Sequence, residues 1–90
     1  MPKFLAVHPL PKPVTFEEAA QIAKKAKAES TLDAYWVGAW SQLDETGKIT
    51  KIMCHWNGAS IEAVRNVLAK IPCPVEGVYP LALVDGEDYR

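Results

Sequence analysis

Apolar positions along the chain recur with two periods, one of a strand and one of a helix. Lys3 to His8 (KFLAVH) is a short extended-type run. Pro9, Pro11 and Pro13 follow and lack the amide donors of a sheet ladder, so the first strand is predicted to stop at His8. Thr15 then opens a helix, because Glu18 completes the T-x-x-E spacing of a capping box. Phe16, Ala19, Ala20, Ala23 and Ala26 recur at helical spacing and make a shallow apolar stripe, which would let this helix lie close to a sheet. The helix is predicted to fade at Glu29-Ser30.

Tyr35 to Gln42 (YWVGAWSQ) reads as the second strand. Asp44 to Lys48 is a hairpin loop in which Gly47 can take positive φ, and Ile49 to Trp56 is the third strand. Ser60 caps a second helix, with Glu62 in its first turn and Ile61, Val64, Val67, Leu68 and Ile71 as its buried stripe. Pro72-Cys73-Pro74 should end it. Gly77 to Val84 is a fourth strand that tolerates Pro80 only at a sheet edge, and a polar tail follows from Asp85.

The order β-α-β-β-α-β predicts an α+β fold, a ferredoxin-like sandwich formed by residues 1–90 as a single domain. Its sheet order would be 4-1-3-2, which puts the Pro80 strand at an edge, with both helices on one face. The first and third strands are expected side by side and parallel, so that His8 meets Cys54, His55 and Trp56 at one rim. Alternation sends Cys54 and Trp56 to one face, Met53 and His55 to the other. The face without helices would carry either Tyr35, Val37 and Ala39 or Trp36, Gly38 and Trp40. Both sets are too apolar to leave wet, so a homodimer closed over this face is expected.

Composition narrows the function classes. The net charge of −1 gives no long-range attraction to nucleic acid or to an anionic membrane. The third strand has no K/R-G-F/Y-G/A-F signature, and Gly58 and Gly86 stand outside any phosphate-binding loop. No segment has the roughly 18 consecutive apolar residues of a membrane span, and the N-terminus does not read as a signal peptide. A cytoplasmic location is therefore expected, with Cys54 and Cys73 reduced.

The candidate chemistry sits in Ile52 to Asn57 (IMCHWN), together with His8. Imidazole and thiolate are donors for nickel or zinc rather than magnesium or calcium, which makes His8, Cys54 and His55 the candidate metal ligands. Of the two strand residues, Cys54 is expected to join His8, because His55 shares its face with Lys51. A thiol paired with His8 would have a lowered pKa, whereas one packed among aliphatic groups would have a raised one. A nucleophilic Cys–His pair lacks an orienting Asn or Asp. The other reading is an apolar interior lined by Tyr35, Trp36, Trp40 and Trp56 that receives a small apolar ligand, with His8 as general base. Cys73, between two prolines, is read as a loop thiol without a role.

Four features carry a family resemblance: MPKFLAVHPLP at the start, the Trp36…Trp40 strand, Cys54 on the third strand, and A-S-x-E-A-V-R from Ala59 to Arg65. With these the chain resembles small ferredoxin-like proteins that include a bacterial nickel-binding protein. It is similar more broadly to the dimeric α/β-barrel superfamily, which holds muconolactone isomerase-like and antibiotic-biosynthesis monooxygenase-like proteins. The resemblance implies a small homodimeric binding protein for a transition metal, with His8 and Cys54 at positions filled by nitrogen or sulfur ligands. Its alternative implication is a cofactor-independent enzyme, isomerase- or monooxygenase-like, that works in the barrel interior. The chain departs from the pattern at Asn57-Gly58, where a carboxylate is common.

Overall fold

The computed structural model describes residues 1–89. In chain order the elements are β1 (Lys3–Val14), α1 (Phe16–Glu29), β2 (Ala34–Leu43), β3 (Ile49–Gly58), α2 (Ile61–Leu68) and β4 (Gly77–Leu81). A short 3-10 turn spans Gly86–Tyr89. The four strands form one sheet in the order β2-β3-β1-β4 with the helices over one face, a ferredoxin-like sandwich. Pro80 lies on the edge strand β4, as its missing donor requires.

The local signals act as their chemistry demands. The Thr15 hydroxyl accepts from the Glu18 amide, while the Glu18 carboxylate accepts from the Thr15 amide, closing the capping box that starts α1. Ser60 caps α2 through the Ala63 amide. In the β2–β3 hairpin Gly47 takes φ +85, and the Asp44 carboxylate accepts from the amides of Thr46 and Lys48.

Several expectations are corrected. β1 runs antiparallel to β3, not parallel. The β2–β3 hairpin reverses the chain, and the α1 crossover returns β2 in the direction of β1, so β3 opposes both neighbours. Two elements end early: α2 at Leu68, before Pro72, and β4 at Leu81 rather than Val84.

β1 does not stop at His8 but extends through Pro9, Pro11 and Pro13 to Val14. The Val7 carbonyl accepts from the Glu76 amide, so the backbone polar groups of odd-numbered β1 residues point toward β4. Pairing with β4 ends at Val7 opposite Gly77. The three prolines therefore lack donors only on the side where no strand remains to accept them.

The faces of β2 also differ from both predicted sets. The register with β3 slips at Val37, between Trp36 and Gly38. This bulge turns Trp36, Ala39 and Ser41 toward the helices, and Tyr35, Gly38 and Trp40 toward the open face.

Between helices and sheet lies the core, in which Phe4, Ala6, Ile52, Cys54, Trp56, Val64, Val67, Leu68 and Val78 are buried. The alanine stripe of α1 does not bring the helix fully onto the sheet. Its short side chains leave a cavity of about 270 Å³, bounded by Ala19, Ala23, Trp36, Ile52 and Cys54.

Candidate functional site

His8 lies on the helix-covered face of β1 and is only 3% exposed. Its Nδ1 is 2.9 Å from the Pro74 carbonyl oxygen. A carbonyl can only accept, so Nδ1 carries the proton and Nε2 keeps its lone pair. Burial holds the His8 pKa below the ordinary 6.5, so the ring is neutral at pH 7. A neutral imidazole whose other nitrogen donates to a backbone carbonyl has the arrangement of a metal-ligating histidine.

Cys54 shares that face. It stands opposite Ala6, and His8 stands opposite Ile52, so the two residues occupy diagonal positions across the β1–β3 ladder. Desolvation pushes the thiol up from its ordinary 9.0 to about 11. The Trp36 indole lies close enough to oppose this rise, yet its N–H is not in hydrogen-bonding geometry and has no partner. Cys54 is therefore a protonated core thiol, as expected for packing among apolar groups rather than for a histidine-activated thiolate. Cys73, one residue before the carbonyl that holds His8, is half-buried and within electrostatic reach of Cys54; both thiols are free.

His55 is on the opposite face, opposite Leu5 and Gly38. The structure thus places His8 and Cys54 on one face of the sheet and His55 on the other. One ion cannot bind all three candidate ligands. Among the described residues no group of three or more His, Cys, Asp or Glu side chains is arranged to hold a metal ion.

The four aromatic residues expected to line one interior are divided as well. Trp36 and Trp56 face the helices, where Trp56 is fully buried, whereas Tyr35 and Trp40 face the open side. The cause is the Val37 bulge, which strict alternation along the sequence does not reveal.

Sequence reasoning did not find the Pro74 carbonyl or the polar row on the open face. Lys3 Nζ donates to Asn57 Oδ1 at 3.3 Å, and Asn57 Nδ2 donates to the Tyr35 hydroxyl at 3.0 Å. Register alone juxtaposes these residues, which lie on three different strands. Among the described residues no helix is long and apolar enough to cross a membrane.

Residues 4–81 match the family described as nickel responsive protein SCO4226-like. Among solved structures the chain is similar to SCO4226 from Streptomyces coelicolor A3(2), with a TM-score of 0.75 and 21% identity. That likeness covers 92% of this chain and 99% of the other, and at this identity it speaks for the fold. No curated protein gives a significant match.

Proposed function

Since the chain belongs to the nickel responsive SCO4226-like family, we propose that it is a small homodimeric, cytoplasmic protein that binds a transition metal, nickel before zinc. The observation that carries this reading is the His8–Pro74 hydrogen bond, which directs the Nε2 lone pair of a neutral imidazole away from the bonded side. Cys54 supplies the second donor and must lose its proton to the metal on binding. His55 is not part of this site. Two protein donors leave the remaining coordination positions to non-protein ligands, which must enter beside two buried residues. Zinc is second because the family description speaks only of nickel.

The dimer reading rests on the open sheet face, where Tyr35, Trp40 and Tyr79 stand exposed beside half-buried Leu5, Val7 and Met53. A second copy laid over this face would bury it.

Isothermal titration with nickel and with zinc tests the metal reading in metal-free wild-type protein, His8→Gln and Cys54→Ser. Glutamine keeps the size of His8 and a donor for Pro74 while removing the imidazole. The expected result is nickel binding by the wild type that is lost in His8→Gln and weakened in Cys54→Ser. Undiminished binding by His8→Gln excludes His8 as donor.

A further inference from the structure

The open sheet face is apolar across its middle and carries polar side chains at both ends, Lys51 and Gln42 at one and a larger group at the other, where β1 starts and β3 finishes. Lys3, Asn57 and Tyr35 form a row across β1, β3 and β2, each standing opposite the next in register. The Lys3 ammonium donates to Asn57, and the Asn57 amide donates to the Tyr35 hydroxyl. Tyr35 acts there as acceptor, so its own proton is available to a ligand. The ammonium likewise spends only one of its three protons on Asn57.

His55 stands in the next row. It is only 9% exposed, and its Nε2 is buried with no hydrogen-bond partner, a costly arrangement unless a ligand completes it. Its cross-strand neighbour on β2 is Gly38, where a Cβ would meet nothing within 4 Å. Space therefore lies over Gly38, from which Nε2 is reached once the side chains covering it shift, with Trp40 and Met53 paired in the following row.

We propose that Lys3, His55, Asn57 and Tyr35 form a binding site for a small monocarboxylic acid whose apolar body lies over Gly38 toward Met53 and Trp40. One cationic side chain among neutral hydrogen-bonding groups suits a single negative charge better than a dianion such as phosphate. The same ammonium disfavours a metal cation beside His55. All four polar groups come from one chain, on the opposite side of the sheet from His8 and Cys54. The site therefore does not depend on the metal reading, and a pairing of two copies would enclose it without supplying its donors.

Benzoate and its uncharged analogue benzamide are titrated into full-length protein, followed by calorimetry and by amide shifts of β1 and β3. Benzoate is expected to bind, with benzamide weaker by about tenfold or more, the equivalent of one charge-assisted hydrogen bond. Lys3→Met removes the charge, and Gly38→Val fills the space without a clash. Each is expected to weaken benzoate by about tenfold or more while leaving the melting temperature and nickel binding unchanged. No benzoate binding, equal binding of benzamide, or undiminished binding by either variant overturns the proposal.

Discussion

The Nδ1 of His8 and the carbonyl oxygen of Pro74 are 2.9 Å apart although 66 residues separate them in sequence. This bond ties the middle of the sheet to the loop before β4 and fixes which ring nitrogen carries the proton. The functional reading depends on that choice: with the opposite tautomer, Nε2 would carry a proton and offer no lone pair.

The same imidazole makes the protein acid-sensitive. Burial lowers the His8 pKa below its ordinary 6.5, and burial with the nearby Lys3 charge does the same for His55. As pH falls below 6.5 the unfolded chain gains protons that the folded chain resists, so stability present above that pH is lost. Urea midpoints are expected to fall between pH 7.5 and pH 5.5, and to fall less in His8→Gln. A flat profile would mean that both rings protonate freely in the folded state.

At the alkaline end both thiols contribute, because burial raises the pKa of Cys54 and of Cys73. Between the ordinary 9.0 of Cys54 and its folded value of about 11, only the unfolded chain loses that thiol proton. Stability held below pH 9 should therefore decline by about 2 kcal/mol through Cys54 as pH rises toward 11. In a Cys73→Ser background, iodoacetamide at pH 8 is expected to leave native Cys54 unmodified and to label it after unfolding. A native labelling midpoint below about 8 would show the thiol to be activated rather than buried.

Gly58, the last residue of β3, tests the packing that seats α2. A Cβ there would come to 2.6 Å from Val64 Cγ2 and 3.3 Å from the Ser60 carbonyl oxygen. Gly58→Ala is expected to cost about 1–3 kcal/mol by overpacking, and Val64→Ala to recover part of it. Additive losses in the double variant would locate the strain in the Ser60 backbone instead.

Trp56 has no exposed surface and belongs to the core cluster that includes Ala26 of α1 and Val64, Val67 and Leu68 of α2. Trp56→Ala should cost about 3–5 kcal/mol, enough to unfold a domain of this size at ordinary temperature. Trp40→Ala, on the open face, should leave the thermal midpoint of a monomer nearly unchanged and weaken self-association by light scattering. Unaltered association would place the dimer contact elsewhere.

Much of the fold was legible because its signals are local. Thr15 and Glu18, Gly47 in its hairpin and Pro80 on an edge each express chemistry confined to a few residues. What could not be read depends on partners distant in sequence. The prolines of β1 are accommodated only because β4 ends opposite Val7, and the Val37 bulge exists only against β3. At the site, alternation correctly separated the faces of Cys54 and His55. His8 and Cys54 were expected to meet at parallel strand ends, whereas the strands are antiparallel and the two residues occupy diagonal positions on one face. The Pro74 carbonyl had no sequence signature.

Nickel K-edge X-ray absorption on loaded protein tests His8 Nε2 as a donor most directly, because imidazole rings leave a distinctive multiple-scattering pattern. The wild type should show that pattern with a sulfur neighbour from Cys54, His8→Gln should lose the imidazole scattering, and His55→Gln should keep it. An imidazole pattern that survives in His8→Gln and disappears in His55→Gln would contradict the account, moving the metal to the open face of the sheet.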